Sequence, residues 1–159
     1  MFKGVHLNDR KLIGTLYNKH GIKTCEINNL CGHRKEFDDY GQLKFRGTYS
    51  NCEKNGHGKE YYSNGILKFE GEYLNGKRHG KGKKYYRNGK LKFEGKYLND
   101  KEWEGIGYDS LNNKIYELKG GQGLIIKYNR YDNTKIKFES EYSNGERNGK
   151  GKEYGYDGK

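Results

Sequence analysis

Leu67-Lys68-Phe69-Glu70-Gly71-Glu72-Tyr73 recurs as Leu91-Lys92-Phe93-Glu94-Gly95-Lys96-Tyr97, and an earlier copy stands at Leu43-Lys44-Phe45-Arg46-Gly47-Thr48-Tyr49. The step is 24 residues both times. Within the copy, Leu67, Phe69, Gly71 and Tyr73 alternate with Lys68, Glu70 and Glu72, the period of two that marks a half-buried strand. Asn75-Gly76 follows, a strong tight-turn signal. A second strand is expected at Gly80-Lys81-Gly82-Lys83-Lys84-Tyr85-Tyr86, whose earlier copy is Gly56-His57-Gly58-Lys59-Glu60-Tyr61-Tyr62. Asn64-Gly65 and Asn88-Gly89 then turn the chain into the next unit. Each period is one β-hairpin, and successive hairpins should pair into a single antiparallel sheet.

The strand glycines have a physical role in this reading. A strand glycine has no side chain to pack, and an aromatic ring from the neighbouring strand can cover the gap. Each ring buried in this way contributes roughly 1.5–3 kcal/mol. A lone hairpin is unstable, and stacking adds a neighbour term for each repeat. The other face carries Glu70 and Glu72 on one strand and Lys81, Lys83 and Lys84 on the next, so cross-strand ion pairs are expected there.

Composition sets the outer limits. The 159 residues hold 12 Leu, 9 Ile, one Val and 6 Phe, a poverty of apolar residues that alone would suggest disorder. Regular repetition overrules that signal. There is no Pro and no Ala, against 25 Gly and 16 Tyr, which argues against a helical protein and a thick aliphatic core. No apolar run approaches the length of a membrane-spanning helix. The start, Met1-Phe2-Lys3-Gly4, lacks the apolar stretch of a secretion signal, so a cytoplasmic place is expected, with a peripheral position on membrane or cytoskeleton left open.

The array is expected to fill 1–159. It comprises a degenerate N-terminal repeat or cap over 1–32, regular repeats over 33–98, degenerate repeats over 99–134 and a regular final repeat over 135–159. In the degenerate part, Trp103 to Tyr108 reads as a second strand with one inserted residue, and Ile115 to Lys119 with Gly121 to Tyr128 as a further hairpin. Asp132-Asn133 leads back into the regular motif. Past Asp157-Gly158-Lys159 the return strand is missing, which would leave an open edge able to pair with a second copy.

Phe69 to Gly82 resembles the MORN (membrane occupation and recognition nexus) repeat along its whole length: aromatic-x-Gly-x-aromatic, an Asn-Gly turn, then Gly-x-Gly. The added Tyr85 to Leu91 stretch is similar to the longer, 24-residue variant. The resemblance is strong over 33–98 and 135–159 and weaker elsewhere. It implies an all-β fold, an elongated single-layer antiparallel sheet of stacked hairpin repeats. It also implies a non-catalytic protein that scaffolds, dimerises or binds protein partners, with no cofactor. Phosphoinositide or membrane binding is often attributed to the family.

Candidate chemistry is sparse. His6, His20, His33, His57 and His79 lie in different repeats, and the last three fall near one repeat position, which reads as repeat geometry rather than catalysis. Gly76 to Lys81 superficially resembles a phosphate loop but is one residue short, with no Ser or Thr and no helix after it. Cys25, Cys31 and Cys52 with His33 lack recognised zinc spacing, so no metal is expected and free thiols in a reducing cytosol are the better reading. No enzyme is expected.

Two surfaces remain. A groove of rings, Phe45, Tyr49, Phe69, Tyr73, Phe93, Tyr97, Phe138 and Tyr142, would hold a protein partner. The net charge of +11, with Lys81, Lys83, Lys84, Lys90 and Lys92 in one period, is the alternative: a stripe for an anionic phospholipid or phosphoinositide surface. Against the stripe stands the bland reading, in which those lysines pair with Glu and solvate one face. Nucleic acid is disfavoured because the repeat already uses its rings for packing.

Overall fold

The computed structural model describes residues 1–7, 10–18, 20–28, 32–51, 53–128, 136–144 and 146–155. Asp132-Asn133, Cys31, Cys52, Gly145 and Asp157 to Lys159 lie outside them. Among the described residues the structure is all strand and turn, with no helix. Packing divides the chain into two units, 1–78 with 87–89, and 79–86 with 90–159.

In the first unit, β1 (Phe2–Leu7), β2 (Arg10–Tyr17), β3 (Lys23–Asn28), β4 (Gly32–Phe37), β5 (Leu43–Ser50), β6 (Glu53–Tyr61) and β7 (Leu67–Leu74) follow in chain order. Each pairs antiparallel with its predecessor. β8 (Lys77–Tyr85) starts in this unit and runs into the second. There β9 (Leu91–Leu98), β10 (Lys101–Tyr108), β11 (Lys114–Leu118), β12 (Gly123–Tyr128), β13 (Ile136–Ser143) and β14 (Glu146–Glu153) again pair neighbour to neighbour. This is the antiparallel sheet of consecutive hairpins that the repeat predicts.

The turns keep the period. Asn51, Asn75 and Asn99 have φ of 50°, 49° and 50°, and Gly76 has 79°. Two successive left-handed residues make the turn that matches strand twist, and Asn and Gly tolerate it best. The second turn type places Gly65 and Gly89 at φ 79° and 83°.

The rings sit where the glycines make room. Gly47 faces Gly58, and Gly58 faces Gly71. A Cβ on Gly58 would lie 2.6 Å from Phe45 Cζ and 3.0 Å from Tyr73 Cε2. In the second unit Gly95 faces both Gly82 and Gly105, and a Cβ on Gly105 would lie 2.9 Å from Phe93 Cζ. The rings then meet edge to face: Phe45–Tyr73 at 5.4 Å and 84°, Phe69–Tyr73 at 5.6 Å and 88°, Phe93–Tyr97 at 5.4 Å and 83°. This ring layer, with Leu118, is the buried core of a chain poor in aliphatic residues.

The degenerate part holds two details. β10 carries a bulge at Trp103, but it has one residue fewer than the regular second strand rather than one more. Two residues, Trp103 and Glu104, separate the partners of Tyr97 and Gly95, where β6 has three between the partners of Tyr49 and Gly47. On β11 the glycine place is taken by buried Leu118, and Gly123 on β12 yields to it: a Cβ there would meet Leu118 Cδ2 at 2.8 Å.

Candidate functional site: the two faces of the sheet

Strand alternation gives each unit an inward face of rings and an outward face of charge. Phe45, Tyr49, Phe69, Tyr73, Phe93 and Tyr97 are all buried, Phe69 and Phe93 at 0% exposure. Phe138 and Tyr142 are half-buried. The open groove expected from these rings is therefore corrected. Six of the eight are packed core, because the glycine hollows draw the rings down, neighbouring rings pack against them, and a cation closes over Phe45, Tyr49 and Phe69. Lys54 Nζ lies 3.9 Å from the Phe45 ring centre, Arg78 Cζ 4.4 Å from that of Phe69, and Arg34 Cζ 4.6 Å from that of Tyr49.

Two of these cations, Lys54 and Arg78, belong to a repeated cluster. Glu60 accepts hydrogen bonds from Tyr73 Oη at 2.6 Å and from Arg78 Nε and Nη2 at 3.1 and 2.6 Å. One repeat earlier Glu36 accepts from Tyr49 Oη and lies 3.3 Å from Lys54 Nζ. Burial alone would raise the Glu60 carboxyl, but the Arg78 guanidinium and the Tyr73 hydroxyl outweigh it and hold Glu60 at about 2. Burial and the same carboxylate push the Tyr73 hydroxyl well above the usual phenol range.

In the next repeat the polarity is exchanged. Lys84 stands 24 residues after Glu60, and Glu102 stands 24 after Arg78. The register agrees: Lys84 faces Phe93 as Glu60 faces Phe69, and Glu102 faces Tyr97 as Lys54 faces Tyr49. Lys84 Nζ donates to Glu102 Oε1 at 2.9 Å, and Tyr116 Oη donates to Glu102 Oε2 at 2.6 Å. Both charges have swapped places and the bond survives. The signal was present in the sequence as opposite charges 18 residues apart, Glu36/Lys54, Glu60/Arg78 and Lys84/Glu102, but sequence reasoning did not find it.

The five lysines expected to form an anionic-lipid stripe are dispersed in role. Lys84 points inward to Glu102 rather than outward, since adjacent Lys83 and Lys84 cannot share a face. Lys83 pairs with Glu94 at 3.0 Å, and Lys92 lies 5.0 Å from the Tyr86 ring centre. Lys81 and Lys90 are exposed. Outward cross-strand pairs do form, but with other partners than expected: Glu70 pairs back with Lys59 of β6 (2.7 Å) and Lys83 pairs forward with Glu94 of β9.

Gly76 to Lys81 forms the Asn75-Gly76 turn and the start of β8, with Arg78 committed to Glu60. Among the described residues no group of three His, Cys, Asp or Glu is placed to hold a metal. His33 and His57 are exposed on separate strands and His79 is half-buried.

Three segments, residues 45–66, 69–90 and 138–159, match the family model described as MORN repeat. No curated protein matches the chain.

Proposed function

The chain is a MORN repeat protein, and we propose that it acts as a scaffold binding a protein partner through the outward face of its sheet. MORN repeats are a non-enzymatic, interaction-type repeat. The observation that carries the reading is the division of labour between the faces. The buried rings and their ion pairs are consumed by packing, so the outward side chains are what the described repeats present. A face built from repeated strands within each unit suits a partner recognised over several repeats.

The test is cross-linking capture with the full chain in lysate from its source, alongside sedimentation to measure self-association. Cross-links to a protein through outward lysines such as Lys35, Lys59, Lys83 and Lys96 are expected. Absence of both a partner and self-association would overturn the reading.

A second reading, peripheral attachment to an anionic phospholipid or phosphoinositide surface, draws on the +11 charge and on exposed Lys81, whose cross-strand neighbour is Lys96. Sedimentation with phosphoinositide vesicles at low salt decides it, because such binding weakens steeply as salt rises. No binding at low salt removes it.

A further inference from the structure

We propose that the outward face of β4–β6, centred on Arg46, docks an acidic segment of a partner protein, its Asp or Glu side chains seated on the row Lys35, Arg46 and Lys59. This rests on the protein-binding reading above and gives it a place and a chemistry.

A charge reversal inside the repeat carries it. The residue after the repeat Phe is Glu70 on β7, Glu94 on β9 and Glu139 on β13. Each faces a lysine directly: Glu70 faces Lys59, Glu94 faces Lys83 and Glu139 faces Lys152. On β5 the same place, after Phe45, holds Arg46. Its direct neighbours are Lys35 on β4 and Lys59 on β6. Three cations thus stand in one row, spaced by about 4.8 Å per strand. Like charges directly opposite each other destabilise a sheet. The regular repeats avoid that cost with Glu; β5 accepts it.

The three side chains share one face. The ladder is unbroken from Arg34/Gly47 to Glu36/Phe45 on one side of β5, and from Gly47/Gly58 to Phe45/Glu60 on the other. Phe45, Gly47 and Tyr49 are buried inward, so Arg46 and Thr48 alternate outward. Arg46 is exposed and lies over the Tyr61 ring, 5.8 Å from its centre. Among the described residues it makes no ion pair. Lys59 reaches away from it to Glu70. The next outward row is His33, directly opposite Thr48, and His57, whose carbonyl accepts from Thr48 Oγ1 at 3.0 Å. None of these six outward residues is a carboxylate, whereas the places of Arg46 and Thr48 one period later hold Glu70 and Glu72.

Charge and width select the occupant. The cationic row is bounded by Glu26, opposite Lys35 on β3, and by Glu70 on β7. A membrane surface would cover those acidic positions as well. A single acidic segment lying along β5 meets only the cations. The planar guanidinium of Arg46 presents paired N–H donors that match a carboxylate. The net charge of +11 draws an acidic partner towards the chain.

The probe is a fluorescent peptide as long as β5 that alternates Glu with Ser; Gln/Ser and Lys/Ser peptides are its controls. Anisotropy titrates the full chain at low salt, and amide shifts map the contact. Arg46→Glu restores the residue that β7, β9 and β13 use. It should fold, as its circular dichroism spectrum checks, and its urea midpoint should rise because Lys35 and Lys59 then face a carboxylate. Arg46→Gln removes the charge without restoring the pair. Lys77→Glu, at the exposed start of β8, lowers the net charge by as much as Arg46→Glu does. We expect the Glu/Ser peptide to bind at least about tenfold tighter than either control, and both Arg46 variants to lose most of that preference. Lys77→Glu should weaken binding by less than about threefold. Shifts should centre on β4 to β6.

No preference for the acidic peptide, unchanged affinity in the Arg46 variants, an equal loss in Lys77→Glu, or shifts centred elsewhere would each overturn the proposal. So would a lowered urea midpoint in Arg46→Glu, since the row would then not be a destabilising one. Phosphatidylserine vesicles that bind the chain through Arg46 while the peptide does not would replace the acidic segment with a lipid surface. In the lysate capture, a partner retained fully by Arg46→Glu refutes this site but leaves the scaffold reading standing. Failure of both chains to capture anything, without self-association, refutes the scaffold reading itself.

Discussion

Exchanging the charges of Glu60 and Arg78 is the most informative perturbation of the core. Glu60 and Arg78 side chains are 18% and 15% exposed and are joined by two hydrogen bonds. The Glu60 carboxyl is held at about 2 against an ordinary 4.5, a depression of about 2.5 units that corresponds to about 3 kcal/mol. A depressed folded-state value means the stabilisation is complete above about pH 4.5 and lost as pH falls through that value towards 2. Glu60→Gln should therefore cost about 3 kcal/mol at neutral pH, in line with breaking a buried pair, and the difference from wild type should shrink below pH 4.5. Glu60→Lys alone, which sets two cations side by side, should cost more. The double exchange Glu60→Lys with Arg78→Glu reproduces the arrangement of Lys84 and Glu102, and should return to within about 2 kcal/mol of wild type, the residue being the Tyr73 hydroxyl that loses its acceptor. Urea unfolding followed by circular dichroism measures wild type, Glu60→Gln, the two single reversals Glu60→Lys and Arg78→Glu, and the double exchange. Losses in the double variant that simply add the two single losses would refute the claim that the two sites form one exchangeable pair.

Further outcomes follow from the same packing. Gly58→Ala places a methyl 2.6 Å from the Phe45 ring and should cost about 1–3 kcal/mol or more in unfolding free energy, because both flanking rings must move. Phe69→Ala should cost about 3–5 kcal/mol, whereas Tyr40→Ala, at a turn tip with 86% exposure, should shift the urea midpoint little, by about 0.5 kcal/mol at most. Lys84→Ala should destabilise more than Lys83→Ala, since the first leaves Glu102 half-buried without its cation and the second breaks only an exposed pair; thermal melts of the two variants give the order.

How much of this was legible in the sequence depends on the distance over which each interaction acts. Strand and turn could be read at once, because alternation in Leu67 to Tyr73 and the Asn75-Gly76 signal are local, and 24-residue recurrence multiplied them. The seating of rings over glycine was legible too, since Phe69-Gly71-Tyr73 carries both halves of the contact. The depth of that seating was not. A row of aromatics in sequence looks like a groove, and only the cations over Phe45, Tyr49 and Phe69 show it closed. Lys84 was read with Lys83 because the two are adjacent, yet adjacency on a strand means opposite faces, and the partner that draws Lys84 inward lies 18 residues away. The shortening of the second strand at β10 was hidden by a change of step: Gly58 to Gly82 is 24 residues, Gly82 to Gly105 only 23.

Rings form the interior of the repeats, and the opposite side chains form their exposed face. Side-chain resonances recorded with a soluble paramagnetic gadolinium chelate test it directly. The ring signals of Phe69, Phe93 and Tyr73 should stay sharp while the methyl signals of Leu124 and Leu111 broaden strongly. Equal broadening of rings and methyls would contradict it.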